Sequence, residues 1–311
     1  MKCRVMLSNL DRTGLKEWIY MRYYKVVIGD ARNMSEVPDR SVHFIVTSPP
    51  YWNLDTFSIK ETDVLQGDLS RIPEKDMFFS ELAKVWKECA RVLVQGGYLM
   101  CEWEDYPPGS RVYHYPREIS LTGEMIKSIE DSGLYLISRW IWQKHVGGGK
   151  YGSYQYILYK NLEKGFDVRA APNWAYCFVF RKAGAWEQKR ERTLDFTQDE
   201  WIKTLSSGVW YIEAAVTSGA GEHISGGAVY PEELIRRFIR LYTSPGDTVL
   251  DPFGGTGTTM LAALNLRRSC ILYEIRPEAL ETIKAKVHWE GTSFTLDNEQ
   301  ISWKVINRVG G

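Results

Sequence analysis

Cysteine is scarce in this 311-residue sequence, and neither sign of charge is in excess. The five cysteines are scattered and form no Cys-x-x-Cys pair, which argues against a zinc ribbon or a thioredoxin-like redox site. An odd number of unclustered cysteines fits a reducing compartment, so we expect a cytoplasmic protein. Basic and acidic residues both number 39, which excludes a polybasic, histone-like binder but permits a locally basic groove.

Long apolar runs are also missing. No stretch approaches the roughly 20 apolar residues that cross a bilayer, and the first 20 residues contain no continuous apolar segment of the kind found in signal peptides. We therefore expect no membrane association. The phosphate-loop signature Gly-x4-Gly-Lys-Ser/Thr is absent, and we expect no metal site. Aromatic residues, by contrast, are plentiful, with 12 Trp and 18 Tyr, and they suit either a core or stacking on flat ligands.

Short apolar runs alternate with amphipathic segments along most of the chain. Strands are predicted at residues 25–30, 42–51, 96–103, 134–142, 175–182, 247–253 and 269–275. Helices are predicted at residues 76–94, 116–132, 231–242 and 277–289, and a further helix follows the loop GGTGTT and ends at about Asn265. This alternation predicts an α/β fold with a doubly wound, mainly parallel sheet covered on both faces. The C-terminal tail alternates around Asp297-Asn298 and predicts a hairpin.

Residues 146–206 interrupt this rhythm, because they are rich in glycine and tyrosine and carry an excess of basic side chains. We interpret most of this stretch as a small insert that recognises the substrate. The predicted domain organisation is then an N-terminal extension (1–22), one catalytic domain in two parts (23–145 and 207–290), the insert (146–206) and a C-terminal hairpin (291–311).

A glycine-rich loop, DPFGGTGTT, lies where a predicted strand passes into a helix. Glycines let the backbone approach a ligand, and the first turn of a helix offers free N–H donors. Glu274 ends the next strand, where a carboxylate can accept hydrogen bonds from both hydroxyls of a ribose. Together these features predict a cofactor with a nucleoside part; the alternative is a tight turn without a ligand. The candidate residues of this region are Asp251, Phe253, Gly254, Gly255, Gly257, Thr258 and Glu274.

Asp30 also ends a predicted strand. In a doubly wound sheet such strand ends meet at one edge, so Asp30 can reach the same ligand and bond an adenine amino group. The alternative is that Asp30 caps the segment that follows it.

The segment Ser48-Pro49-Pro50-Tyr51 closes the strand that begins at Val42. Two prolines end a strand and fix the loop. The Ser48 hydroxyl and the Pro49 carbonyl can accept hydrogen bonds from an amino group, and Tyr51 can stack under a flat ring. This set suits the exocyclic amine of a nucleobase; the alternative is a rigid turn with a buried tyrosine. Weaker candidates for substrate contacts are Trp52, Asn53, Lys150 and Tyr151.

In combination, these motifs resemble those of the β-arrangement amino-methyltransferases, which use S-adenosylmethionine to methylate cytosine N4 or adenine N6 in nucleic acid. TSPPYW resembles the catalytic motif, VLDPFGGTGTT the cofactor motif that follows it, and GDARNM the adenine-contacting segment. The resemblance covers residues 24–145 and 207–285 and implies a seven-stranded, Rossmann-like methyltransferase sheet. One departure concerns residues 226–231, GGAVYP, where family members often carry His-x-Ala-x-Phe-Pro; here His223 lies upstream.

The resemblance implies direct methyl transfer to a flipped or unpaired base. Serine at the first position of the catalytic motif resembles the cytosine-N4 branch, with adenine N6 as the alternative. Family precedent favours DNA as the partner, whereas the short insert and the neutral charge leave structured RNA, such as ribosomal RNA, as an alternative. The oligomeric state stays open.

Other classes fit the motifs less well. Methylation of cytosine C5 needs a nucleophilic cysteine, and the sequence contains no Pro-Cys dipeptide. A nicotinamide dehydrogenase shares the glycine loop and Glu274, but it does not explain TSPPYW. A catalytically inactive nucleic-acid-binding module is the remaining alternative.

Overall fold

A computed structural model describes residues 4–5, 19–20, 22–52, 67–105, 120–144, 164, 174–184, 193–214, 230–289, 293–296 and 299–308. The strands are β1 (Arg4–Val5), β2 (Ile19–Tyr20), β3 (Arg22–Ile28), β4 (Val42–Thr47), β5 (Leu93–Trp103), β6 (Leu134–Gln143), β7 (Trp174–Lys182), β8 (Val209–Tyr211), β9 (Thr248–Asp251), β10 (Ser269–Glu274), β11 (Ser293–Leu296) and β12 (Glu299–Asn307). The longer helices are α1 (Lys75–Val92), α2 (Thr122–Glu130), α3 (Glu232–Tyr242), α4 (Thr258–Asn265) and α5 (Ala279–Lys286).

In the described part of the chain, ten strands form one sheet in the order β11-β12-β3-β10-β9-β4-β5-β7-β6-β8, and β1 pairs with β2 apart from it. The six strands from β12 to β5 are parallel to one another. Strand β7 is antiparallel to both β5 and β6. The prediction of a doubly wound, mainly parallel sheet is thus confirmed.

Successive residues of the central strands enter two different apolar clusters. Val26 and Phe44 belong to one cluster, and their neighbours Val27 and Ile45 belong to the other. Because side chains alternate between the two faces of a strand, the clusters cover opposite faces of the sheet. Helices α3, α4 and α5 contribute to the first cluster, and α1 and α2 to the second. This coverage is why the strands are apolar along their whole length rather than in alternation.

The sheet extends beyond the seven strands that the family resemblance implies. Those seven are present as β3 to β7, β9 and β10, and β8 extends the sheet beside β6. At the other edge, β11 and β12 form the predicted C-terminal hairpin. Strand β12 also pairs in parallel with β3 over seven residue pairs, from Ile301 with Arg22 to Asn307 with Ile28. The tail is therefore part of the sheet.

The predicted insert needs a correction. Strand β7, which the sequence analysis placed within residues 146–206, lies inside the sheet between β5 and β6. Its Cys177 and Val179 enter one apolar cluster while Phe178 and Phe180 enter the other, so β7 is buried on both faces like the other central strands. The prediction was wrong here because the limits of the insert were taken from amino-acid composition, which does not report whether a strand is buried.

The end of the predicted insert is also anchored to the rest of the fold. Arg268 is fully buried and forms an ion pair with Asp195. Arg240, on α3, pairs with Glu200. These contacts fasten the segment 193–205 to α3 and to the strand that follows α4. The other domain limits stay predictions.

Several element boundaries differ from the predictions, among them those of β5 and α2. Strand β5 begins at Leu93, before the Gly96-Gly97 pair that was taken as its start, and its pairing with β4 shifts register between Val42 and Phe44. Gly96 has a φ of 74°, so the glycines form an irregularity inside the strand. Helix α2 covers Thr122–Glu130 and is shorter than the predicted 116–132.

The direction of the connections changes between β4 and β9. From β4 the chain passes through α1 to β5 on one side, and from β9 it passes through α4 to β10 on the other. In doubly wound sheets, ligands bind in the crevice that such a reversal leaves at the carboxyl ends of the strands. The fold therefore places Ser48, after β4, beside the glycine loop that follows β9.

The packing of β12 can be tested through Trp303. Its ring is buried, 4.6 Å from the ring of Trp289 and 4.7 Å from that of Tyr24 between centroids. We expect Trp303→Ala to lower the free energy of unfolding by about 3–5 kcal/mol, because it leaves a large cavity in the core. Urea denaturation measures this. Lys304→Ala, an exposed position on the same strand, is the control and should change it by less than about 0.5 kcal/mol. Equal, small effects would contradict the packing.

Candidate active site

A cavity of about 170 Å³ opens at the carboxyl edge of the sheet, at the point where the connections reverse. It is lined by Gly29, Asp30, Ala31, Ser48, Pro49, Pro50, Tyr51, Gly67, Asp68, Leu69, Ser70, Pro252, Phe253, Glu274, Ile275 and Arg276. The structure therefore brings together the Ser-Pro-Pro-Tyr segment and three of the predicted cofactor residues, namely Asp30, Phe253 and Glu274. Residues 67–70 and Arg276 are lining residues that the sequence analysis missed.

Glu274 is held at the end of β10 by backbone N–H groups. Its Oε2 accepts a hydrogen bond from the N–H of Gly255 at 2.9 Å, and its Oε1 accepts one from the N–H of Arg276 at 2.9 Å. Burial raises the pKa of the Glu274 carboxyl, and these donors oppose that shift. The carboxylate is thus fixed in orientation beside the cavity. Its remaining lone pairs can accept hydrogen bonds from paired hydroxyl groups of a ligand.

The glycine loop lies close against the strand that carries Glu274. A Cβ atom on Gly254 would lie 2.9 Å from the Cβ of Leu272, a distance that no side chain tolerates. Gly257 has a φ of 85° at the start of α4, where a side chain would be strained. Gly254, Gly255, Gly257 and Thr258 are not among the lining residues of the cavity. In the structure, Gly254 allows the glycine loop to pack closely against β10.

Asp251 lies behind the cavity and is fully buried. Its carboxylate accepts hydrogen bonds from the hydroxyls of Thr47 at 2.9 Å, Tyr230 at 2.7 Å and Thr259 at 2.6 Å, and from the N–H of Phe253 at 3.0 Å. Burial raises the pKa of Asp251, and these donors counter it. The structure thus does not place this predicted cofactor residue in the cavity wall. It shows the carboxylate joining the ends of β4 and β9 to α4.

Asp30 lies in the cavity wall and is held by Arg32. The backbone N–H of Arg32 donates to Asp30 Oδ1 at 2.8 Å, and its Nε donates to both carboxylate oxygens at 3.0 Å and 2.8 Å. Arg32 also pairs with Glu81 on α1. The side chain of Asp30 is 36% exposed, so it remains open to a ligand. No helix begins at Asp30; it forms a local turn with Arg32.

A buried carboxylate that the sequence analysis missed lies next to the Ser-Pro-Pro-Tyr segment. Ser48 Oγ donates a hydrogen bond to Glu102 Oε2 at 2.7 Å, and the Tyr51 hydroxyl donates to the same oxygen at 3.2 Å. Glu102 lies near the end of β5 and is 4% exposed. The sequence did contain one signal for this residue. Glu102 is an acidic residue in the otherwise apolar strand GGYLMCEW, and it lies near the end that meets the carboxyl edge of the sheet.

Burial and a nearby positive charge act on the pKa of Glu102 in opposite directions. Burial raises the pKa of the Glu102 carboxyl, whereas the ammonium of Lys144 lowers it. Lys144 forms an ion pair with Glu104 and lies 4.8 Å from the centre of the Trp142 ring. Burial and the charge of Glu102 together raise the pKa of Tyr51 well above its usual value. Tyr51 therefore stays neutral at physiological pH, with its ring 5.0 Å from that of Trp103.

This geometry leaves the Ser48 oxygen free to accept. Because its hydrogen is directed at Glu102, the lone pairs of Oγ can receive an N–H from a ligand in the cavity. Of the weaker candidates, Trp52 donates from Nε1 to the carbonyl of Pro73 at 3.1 Å. Asn53, Lys150, Tyr151 and the residues around His223 lie outside the described residues.

Two further observations concern only the described ranges. Within them, no helix is long and apolar enough to span a membrane. Also within them, no three His, Cys, Asp or Glu side chains are grouped so that they could hold a metal ion.

The lining fits a nucleoside-containing cofactor. The fixed carboxylate of Glu274 and the partly exposed carboxylate of Asp30 suit ribose hydroxyls and an adenine amino group. The side chain of Phe253, with its ring 6.4 Å from that of Trp86, adds an apolar wall. Ser48 lines the same cavity, on the other side of the crevice between β9 and β4.

The comparison with family models places most of the chain in one family. Residues 42–285 match the model of the N6/N4 methyltransferases, described as DNA methylases. Among curated proteins, the Type II methyltransferase M.MjaI of Methanocaldococcus jannaschii is 30% identical, over 85% of this chain and 91% of its own length. M.MthZI of Methanothermobacter thermautotrophicus is 25% identical, over 92% of this chain and 81% of its own.

Solved structures agree on the fold. A putative DNA modification methylase from Thermus thermophilus, complexed with S-adenosyl-L-methionine, is 25% identical, with a TM-score of 0.65 over 93% of this chain and 100% of that one. The cytosine-N4-specific PvuII DNA methyltransferase is 17% identical, with a TM-score of 0.59 over 88% of this chain and 91% of that one. At that identity, the second likeness concerns the fold alone.

The raised pKa of Glu102 gives a test by pH. A carboxyl whose pKa is higher in the folded state than in the unfolded state, where it is about 4.3, binds more protons when folded, so its contribution to stability falls as pH rises through that interval. Glu102→Gln removes this loss. We expect the stability of Glu102→Gln, relative to the original protein, to increase as the pH rises above about 4.3 in urea denaturation.

Glu124 is the matched control. Its pKa is lowered by the hydrogen bond from Lys75, so it contributes stability at high pH that is lost as pH falls. This loss occurs below the unfolded-state pKa of about 4.3, so the stability of Glu124→Gln relative to the original protein should stay nearly constant as the pH rises above that value. A Glu102→Gln variant that follows the Glu124→Gln trend would refute the buried environment assigned to Glu102.

Proposed function

The chain belongs to the N6/N4 methyltransferase family of DNA methylases, and from that premise we propose that it methylates the N4 amine of cytosine in DNA. The methyl donor is S-adenosylmethionine, as in the family. The observation that carries the choice of cytosine is the contact between Ser48 and Glu102 in the cavity wall. A neutral hydroxyl stands at the first position of the catalytic segment, and a buried carboxylate lies directly behind it.

The position of Glu102 explains why serine, and not aspartate, suits position 48. An aspartate at position 48 would bring a second carboxylate next to the buried Glu102, and like charges at such distances cannot both ionise readily. With serine, the single negative charge stays behind the hydroxyl and orients it. The active site is thus built around a hydroxyl acceptor, which is the feature that resembles the cytosine-N4 branch.

The residues of the chain have distinct tasks in this proposal. When bound, S-adenosylmethionine supplies an electrophilic methyl group. Glu274 and Asp30 hold its ribose and adenine, and Phe253 contacts it through the apolar wall. Ser48 Oγ and the carbonyl of Pro49 accept the two amine hydrogens of the base, and Tyr51 stacks against its ring. Positioning and electrostatics of this kind are the main sources of catalysis in a direct displacement.

A proton must leave the amine in the course of the reaction. The hydrogen bond from Ser48 to Glu102 extends the chain of contacts from the amine to a carboxylate. Glu102 Oε2 can take up the proton through Ser48 Oγ, because its raised pKa makes it a better acceptor than an exposed carboxylate. No covalent bond between protein and base is needed.

DNA is the proposed substrate because the family is described as DNA methylases and the Thermus thermophilus structure, at 25% identity, is a putative DNA modification methylase. A cytoplasmic location is part of the proposal. The four cysteines in the described residues are all free and buried, namely Cys89, Cys101, Cys177 and Cys270, which fits a reducing compartment.

The product identifies the reaction. Purified protein is incubated with methyl-labelled S-adenosylmethionine and with genomic DNA or total RNA from a host that lacks the enzyme, and the nucleosides are separated by mass spectrometry. We expect label in N4-methyldeoxycytidine, because Ser48 and Pro49 are proposed to accept the hydrogens of the exocyclic amine of cytosine. Label in N6-methyldeoxyadenosine would overturn the assignment of the base, and label in RNA alone would overturn the assignment of DNA.

Ser48→Ala tests the role of the hydroxyl. We expect kcat to fall by about 100-fold, since one positioned acceptor is lost, while the Kd for S-adenosylmethionine changes by less than about twofold. Steady-state kinetics and calorimetry measure the two. Ser206→Ala, at an exposed serine remote from the cavity, is the control for the substitution itself. Unchanged turnover in Ser48→Ala would remove this residue from the mechanism.

A further inference from the structure

Arg308 follows β12 and lies against the strand that leads to Asp30. Its backbone N–H donates to the carbonyl of Ile28 at 2.9 Å, which continues the pairing of β12 with β3. A Cβ atom on Gly29 would lie 3.0 Å from the Cδ of Arg308. The stem of this arginine therefore packs directly on the residue before Asp30.

The guanidinium of Arg308 reaches along the loop that contains Asp30. It pairs with the carboxylate of Glu36 through two nitrogens. It also donates to the carbonyl of Asn33 at 2.8 Å and to the hydroxyl of Ser35 at 3.2 Å. Partial burial acts to raise the pKa of Glu36, but its hydrogen bonds, above all those from Arg308, lower it overall. Both members of the pair are therefore charged. One side chain thus binds three positions of the loop.

The same pair touches the strand that carries the other cofactor carboxylate. Glu36 Oε2 accepts a hydrogen bond from the hydroxyl of Tyr273 at 3.0 Å, and Arg308 lies 5.8 Å from the centre of the Tyr273 ring. Tyr273 directly precedes Glu274. The N–H of Gly29 in turn donates to the carbonyl of Glu274 at 2.8 Å. Arg308 and Glu36 therefore connect the ends of β3 and β10.

We propose that Arg308, at the end of the C-terminal hairpin, is a positioning residue for the cofactor: by holding the loop 29–36 it sets the distance between Asp30 and Glu274. Arg308 is not a lining residue of the cavity, so it acts through these two carboxylates. The proposal rests on the part of the proposed function that assigns Asp30 and Glu274 to S-adenosylmethionine. It is independent of which base is methylated.

The chemistry requires an arginine. A planar guanidinium can bind a carboxylate with two N–H groups and still donate to further acceptors, whereas an ammonium has one compact charge. Lysine at position 308 would keep the ion pair with Glu36 but would not span Asn33, Ser35 and Glu36 together. The loop is also held by α1, where Arg32 pairs with Glu81, so loss of Arg308 shifts the loop without releasing it.

Calorimetric titration with S-adenosylmethionine, and separately with S-adenosylhomocysteine, tests the proposal on the full chain. We expect Arg308→Ala to raise both Kd values by about tenfold, and Arg308→Lys to raise them by about threefold. The KM for the cofactor should rise in parallel, while kcat at saturating cofactor stays within about twofold. Lys304→Ala, an exposed position on the same strand, is the matched control and should leave both Kd values unchanged.

A second variant makes the test independent of the stability of Arg308→Ala. Glu36→Gln removes the other half of the pair, and we expect a similar rise in Kd. The double variant with Arg308→Ala should bind about as weakly as either single variant, because both remove the same connection. If Arg308→Ala or Glu36→Gln lowers the melting temperature and leaves the Kd values unchanged, the arginine is only structural and the proposal is wrong. A fall in kcat at unchanged Kd would also overturn it.

Failure of the proposed function gives a different result. If the original protein methylates adenine, the product assay changes while the Kd shifts of the Arg308 variants persist. If it binds neither S-adenosylmethionine nor S-adenosylhomocysteine, the cofactor assignment itself fails. Each result identifies which statement is incorrect.

Discussion

The buried carboxylate of Asp251 is the interaction on which the rest of the site depends. It accepts hydrogen bonds from Thr47, Tyr230 and Thr259 and from the N–H of Phe253. A buried charge is stable only when such donors surround it. Thr47 ends the strand before Ser48, and Phe253 begins the glycine loop. One carboxylate therefore fixes the distance between the Ser-Pro-Pro-Tyr segment and the glycine loop, although it does not line the crevice itself.

Four carboxylates near this edge have different tasks because their surroundings differ. Asp30 faces an arginine and stays partly exposed, Glu274 is oriented by backbone N–H groups, and Glu102 lies behind a serine. Asp251 accepts its hydrogen bonds from groups of the protein that hold the fold together. Burial raises the pKa of the last three, so keeping these carboxylates ionised and oriented costs stability.

Sequence reasoning identified the features that local pattern determines. The alternation of strands and helices, the prolines that end β4 and the glycine loop after β9 all depend on neighbours in the chain, and the fold expected from them is confirmed. Sequence reasoning did not identify Glu102 and Arg308, because their contacts are with partners 54 and 272 residues away in the chain. The place of β7 was misjudged for a related reason: its pairing with β5 and β6 is decided by burial on two faces, which composition does not report.

The antiparallel direction of β7 has a consequence for how such a chain can change over time. Strand β6 ends, and β7 begins, at the same edge of the sheet as the cavity, so the chain between Lys144 and Trp174 leaves and rejoins the sheet beside the active site. A change of length between these two residues leaves the described pairing of β6 with β7 in register. A lineage can therefore vary the chain at this one point, next to the cavity, while the sheet that positions Ser48 and Glu274 is inherited unchanged.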